Sequence, residues 1–174
     1  MIGPKPKNLI AALTEGVLSY LIYQSRCGMQ SAYSEHLIYE PIVRIATYKN
    51  WKITNQFKLP KTENAKFPNK IDFVFESNDT QIAVEVKYLK NKRNNINVQK
   101  DIDKLTQFMS LDNDNNKIAL LMITGRYTDE LGNYIKSISE KGNYKAELNY
   151  QEIFHSQSSN TYWVSFIQIK NQIF

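Results

Sequence analysis

Lys70-Ile71-Asp72-Phe73-Val74-Phe75 and Gln81-Ile82-Ala83-Val84-Glu85-Val86-Lys87 are two apolar runs with charge placed inside them. An extended chain turns successive side chains to opposite faces. Glu85 and Lys87 therefore share one face of their strand with Ala83, while Ile82, Val84 and Val86 take the other. On the first run, Ile71, Phe73 and Phe75 are expected on one face and Asp72 with Val74 on the other. The intervening Ser77-Asn78-Asp79-Thr80 is rich in turn formers, so the two runs read as a hairpin. Pairing them brings Asp72 within reach of Glu85. Two carboxylates and an ammonium then meet on a partly apolar sheet face, where charges need partners or a metal ion. Such a set can hold a hard divalent cation and activate a water.

Around this hairpin, helical and extended patterns alternate. Leu9, Leu13, Val17, Leu21 and Ile22 recur at helical spacing over 8–26, with Gly28 as a stop. A second helix is expected from Ser34 to Tyr48, burying Leu37, Ile38, Ile42, Ile45 and Ala46, with a kink or break at Pro41. Trp51 to Leu59 reads as a strand and 60–69 as a polar loop. After the hairpin comes the basic loop Lys90-Asn91-Lys92-Arg93-Asn94-Asn95, then a helix from Asn97 to Met109 with Val98, Ile102, Leu105 and Met109 on one side. The apolar run from Lys117 to Thr124 predicts a central strand covered on both faces. A helix over 129–140 and a strand over 161–170 follow, while 144–154 is either strand or irregular. This order predicts an α/β fold, a central mixed β-sheet flanked by helices, with an antiparallel early meander and parallel later strands.

With 174 residues, 42% of them hydrophobic, the chain is expected to form a single domain over 1–174, with a flexible tail over 1–7. Lys and Arg number 22 against 17 Asp and Glu, an excess that favours an anionic partner such as nucleic acid. One cysteine, Cys27, excludes an intramolecular disulfide and a Cys-based zinc site. With only His36 and His155, a metal would sit on oxygen ligands, and both histidines read as structural. The apolar stretch Leu9–Tyr23 is interrupted by Thr14, Glu15, Gly16 and Ser19, which argues against a membrane span or signal peptide, so a reducing, cytoplasmic setting is expected.

An Asp on one strand, an acidic-x-Lys triplet on the next and a Glu on a preceding helix resemble the PD-(D/E)XK nuclease superfamily, whose domain is the restriction-endonuclease-like fold. The matching residues are Ile71-Asp72, Glu85-Val86-Lys87, the helix Ser34-Glu35-His36-Leu37-Ile38-Tyr39-Glu40 and the later helix Gln99-Lys100-Asp101-Ile102-Asp103-Lys104-Leu105. The likeness covers about residues 31–125, and Ile71 stands where the motif has proline. It implies hydrolysis of DNA phosphodiester bonds by Glu35, Asp72, Glu85 and Lys87. Mg²⁺ or Mn²⁺ would bind Asp72, Glu85 and the carbonyl of Val86. Glu35, with Glu40 as its competitor, would orient a water or help hold a second ion. Lys87 would lie between the attacking water and the phosphate.

The basic loop and the following helix suggest phosphate contacts by Lys90, Lys92, Arg93, Gln99, Lys100 and Lys104, and Tyr39, Tyr88 and Tyr127 could stack on bases. One domain holds one site, so a homodimer would serve cutting of both strands. Each residue also has a plain reading: a solvated sheet face with a cross-strand pair, a helix-dipole Glu, an exposed loop. The alternative function is a catalytically inactive nuclease-fold protein that binds nucleic acid or protein, including an immunity or anti-defence role.

Overall fold

The protein is described here by a computed structural model, which covers residues 5–29, 34–61, 69–77, 79–89, 98–111, 116–141, 145–155 and 161–170. Helix α1 runs from Pro6 to Arg26, with proline at its start. Proline suits that place because its φ is preset and its missing N–H would have had no partner. Pro6 and Lys7 thus belong to α1 and not to a tail. Helix α2, Glu35–Tyr48, is a single helix, with neither end of it set by Pro41. The expected break is absent because Pro41 is buried beside Ile38, Ile42 and Ala46, and packing holds the turn together.

Strands β1 (Lys52–Lys58), β2 (Lys70–Ser77) and β3 (Thr80–Leu89) follow, then α3 (Gln99–Met109), β4 (Lys117–Arg126), α4 (Asp129–Lys141), β5 (Lys145–His155) and β6 (Thr161–Lys170). They form one six-stranded sheet in the order β1-β2-β3-β4-β6-β5. The meander β1-β2-β3 is antiparallel, as expected, and the α3 crossover makes β3 and β4 parallel. The expectation of parallel later strands fails at β6. It pairs antiparallel with both β4 and β5. The segment 145–155, left open by its sequence, is a strand, and it turns back into β6. Strand β6 then fills the position between β4 and β5.

The sheet separates two cores. Leu9, Leu13, Val17, Leu21, Ile38, Ile42 and Ala46 from α1 and α2 pack on Phe73, Phe75, Ile82, Val84, Val86, Leu120 and Met122. On the opposite face, Ile102, Leu105 and Phe108 of α3 and Ile138 of α4 pack on Ala83, Ala119, Leu121, Ile123 and Trp163. Strand β4 alternates between these cores, which explains why its sequence is apolar throughout. Two polar ties reinforce β6: Thr124 Oγ1 donates to the Trp163 carbonyl at 2.7 Å, and Tyr162 Oη donates to Ser25 Oγ at 3.0 Å. Among the described residues no helix is long and apolar enough to cross a membrane.

Gly125, opposite Leu89 in the parallel ladder, has φ of 141°, and a Cβ built there would lie 2.3 Å from the Leu89 carbonyl oxygen. Both the backbone angle and the clash with main chain exclude other residues. Gly125→Ala is therefore expected to destabilise the protein by about 1–3 kcal/mol or more. Urea unfolding of the two proteins measures the difference.

Candidate active site

The β2–β3 ladder runs from Ser77/Thr80 to Phe73/Val84. At the next position, Asp72 turns its carboxylate to β3, and Oδ2 accepts the Val86 N–H at 2.9 Å. The β1–β2 register skips the same point, between Asn55/Phe73 and Phe57/Ile71. There Gln56 adopts a left-handed backbone, φ 52°, and its amide donates to Asp72 Oδ1 at 3.2 Å. The irregularity also switches faces. Phe73 and Phe75 lie in the α1/α2 core, with Ile53 against it, whereas Ile71 lies in the α3/α4 core, with Phe57 against it. Ile71 thus departs from its expected place beside Phe73 and Phe75, because the strand twists at Asp72. Asp72 stands at this fork and takes a third hydrogen bond from the Tyr39 hydroxyl of α2. Burial, then Asp72, push the Tyr39 phenol well above its usual pKa, so it remains a donor.

Glu85 follows the predicted alternation, on the α3 side of β3 with only 2% exposure. Its Oε2 is 2.6 Å from Lys104 Nζ. Lys104 Nζ is also 3.0 Å from Asp101 Oδ1, and Asp101 Oδ2 lies 3.0 Å from Lys87 Nζ. Lys87 Nζ is in turn 3.6 Å from Glu35 Oε1, which accepts the Tyr88 N–H at 3.4 Å. Acid and base alternate along Glu35, Lys87, Asp101, Lys104 and Glu85. Glu40 instead pairs with Arg44 at 2.7 Å on the exposed side of α2, so the helix carboxylate that reaches the cluster is Glu35.

Burial, followed by the Asp72 charge, raises the Glu85 carboxyl to about 8, despite the opposing Lys104 ammonium. Burial alone would lower the Lys87 and Lys104 ammoniums. The carboxylates around them outweigh it, Asp101 foremost for Lys87 and Glu85 foremost for Lys104, and both stay protonated.

Lys104 departs from its expected role in phosphate contact. Its side chain is 18% exposed and its ammonium is engaged by Glu85 and Asp101. Gln99 donates to Asp103 at 2.8 Å on the exposed first turn of α3, and Lys100 is exposed beside it. Lys90, Lys92 and Arg93 lie outside the described residues. Tyr88 is half-buried, and the Tyr127 ring packs edge-on against Trp163 at 5.6 Å, so both serve packing. His36 likewise makes an edge contact with Tyr39 at 5.3 Å.

Glu85 Oε1 is buried and accepts no hydrogen bond among the described residues. An orphan carboxylate oxygen beside Asp72 fits the donor set of a hard cation. Among the described residues, no group of three or more His, Cys, Asp or Glu side chains is arranged to hold a metal, so backbone or water oxygens would complete the shell. Comparison with protein-family models, curated proteins and solved structures gives no significant match.

The expected α3 stripe through Val98, Ile102, Leu105 and Met109 leaves Asp101 off the buried face, whereas the structure buries it. The buried stripe of this segment runs through Val98, Asp101, Ile102, Leu105 and Phe108, which places a carboxylate at an apolar position. That misfit was the available signal. Gln56 carries no signal of its own, since glutamine is not a residue that favours the left-handed region.

The Glu85 shift predicts a pH dependence in metal-free protein. A carboxyl raised from 4.5 to about 8 binds more protons folded than unfolded between those values. Its contribution is therefore full below about pH 4.5, falls as pH rises and levels off above about pH 8. Wild type should lose stability relative to Glu85→Gln across that window in chelator, as followed by thermal melts at successive pH values.

Proposed function

We propose that the protein is a divalent-metal-dependent nuclease acting on DNA. The observation that carries this reading is a buried Glu85 oxygen that accepts no hydrogen bond among the described residues, next to Asp72 at the β2–β3 fork and two residues before Lys87 on β3. A solvated sheet face would not bury a carboxylate to 2% exposure. Glu35 adds a second carboxylate next to Lys87.

In this reading Asp72 and Glu85, joined by the Val86 carbonyl, would hold Mg²⁺ or Mn²⁺. Such an ion polarises a phosphoryl oxygen and lowers the pKa of water. The chain's own residues do the remainder. The Val86 N–H, Gln56 and Tyr39 fix the Asp72 carboxylate. Lys87 carries a permanent positive charge into a half-buried site, where it stabilises negative charge developing on the phosphate. Glu35, beside Lys87 and held by the Tyr88 N–H, would orient the attacking water. The net basic charge of +5 suits a polyanionic substrate. A homodimer built on surfaces outside residues 31–125 would supply two sites for the two strands of a duplex.

Replacing Asp72 or Glu85 with Ala should abolish metal binding and cleavage together. Lys87→Ala should lower cleavage by at least about a hundredfold while keeping the metal, since an ammonium is not a ligand. Calorimetry with Mn²⁺ and a Mg²⁺-dependent nicking assay measure the two properties. Wild-type cleavage by Lys87→Ala removes the lysine from the mechanism.

Substrate affinity should fall steeply with salt, because each neutralised phosphate releases counterions. Lys92→Ala with Arg93→Ala should flatten the slope of log affinity against log salt by up to about two units. Fluorescence anisotropy with labelled duplex gives this slope, and binding that ignores salt argues against a nucleic-acid partner.

One observation favours the second reading, a nuclease-fold protein that binds without cutting. The Lys104 ammonium lies 2.6 Å from Glu85, so this carboxyl already has a cationic partner without a metal. Mn²⁺ calorimetry separates the two, because only the nuclease requires the ion.

A further inference from the structure

A single carboxylate on α3 touches both ammoniums of the cluster. Asp101 Oδ2 lies 3.0 Å from Lys87 Nζ and Oδ1 lies 3.0 Å from Lys104 Nζ. Glu35 stands further from Lys87, at 3.6 Å. Asp101 is 7% exposed and sits in the first turn of α3, where the helix dipole favours a negative charge. Lys87 begins from a strand paired there with β4, but its four-carbon stem is flexible and its ammonium is a compact point charge. Strand geometry sets the face on which Lys87 emerges and leaves the position of Nζ open. Among the described residues, the closest charged acceptor to that atom is Asp101.

Merely neutralising buried lysines would not require one residue to bridge both. Bridging adds a fixed spacing. Lys87 is tied through Asp101 to Lys104, and Lys104 is tied at 2.6 Å to Glu85. Phosphate chemistry depends on such spacing, because a small misplacement of a charged group is costly in rate. We propose that Asp101 is a positioning residue that aims the Lys87 ammonium and sets its distance from Glu85 through Lys104. The catalytic consequence rests on the nuclease reading, whereas the aiming of Lys87 does not.

The aiming is tested in metal-free protein by NMR of ¹⁵N-labelled lysine ammoniums. Lys87, assigned by the signal lost in Lys87→Ala, should give a resonance protected from solvent exchange. Asp101→Asn should remove that protection, while Asp101→Glu and Glu35→Gln should keep it. Should Asp101→Asn fail to fold, Asp101→Ser carries the same comparison. A protected Lys87 signal in folded Asp101→Asn, or none in wild type, overturns the proposal.

The consequence is tested by a double-mutant cycle. Asp101→Asn should slow single-turnover cleavage by at least about tenfold with Mn²⁺ affinity held within about threefold, and should add no further loss to Lys87→Ala. Losses that add show that Asp101 acts apart from Lys87 and overturn the proposal. If wild type cleaves nothing, the nuclease reading fails, and the ammonium signal alone decides the positioning role.

Discussion

Glu85 is the constraint around which the cluster is built. A carboxylate buried in the middle of a sheet is costly unless cations and hydrogen bonds balance it. The balance comes from α3, because β3 and α3 face each other across one core and Lys104 reaches back to Glu85. Asp101 must then answer Lys104, and Lys87 answers Asp101. The alternation of charge ends at Glu35, on the opposite side of the sheet, near the fork at Asp72. These contacts tie α2, β3 and α3 into a common electrostatic unit, and removing Lys104 would leave the buried Glu85 without its cationic partner.

Much of the site could be read from residue spacing because it lies on strands. The alternation of two residues put Glu85 and Lys87 on one face and Ile82, Val84 and Val86 on the other, and the two cores bear this out. Asp72 was placed beside Glu85 by the hairpin, and the hydrogen bond from Val86 N–H to its carboxylate realises that nearness. Less legible was the way Asp72 gets there. A left-handed Gln56 interrupts the register, and the strand changes face within two residues. No pattern of apolar and polar residues encodes such a twist, since it depends on backbone strain held by tertiary contacts.

The helices divide in the same way. Their existence followed from periodicity, but Lys104 looks like an exposed cation in the sequence because one partner, Glu85, comes from β3 and the other, Asp101, sits on an apolar face of α3. Topology failed at one place for a related reason. The strand β5 has no strong alternation signal, and without it β4, α4 and β6 read as another parallel crossover. Once 145–155 is extended, the chain reverses into β6 and the pairing must be antiparallel. Long-range pairing settled what local sequence left open.

Inserting β6 between β4 and β5 has a consequence for biosynthesis. The strand made last among these elements occupies an interior place in the sheet. Until residues 161–170 leave the ribosome, β4 has one unpaired edge, and both cores lack the side chains of Trp163, Val164, Phe166 and Ile167. Helix α1, made before the other elements described, waits for Tyr162 to reach Ser25. The chain consequently cannot mature domain-half by domain-half during translation. It holds an open, apolar sheet edge from the completion of β4 until β6 is made, a condition under which nascent chains call on chaperones.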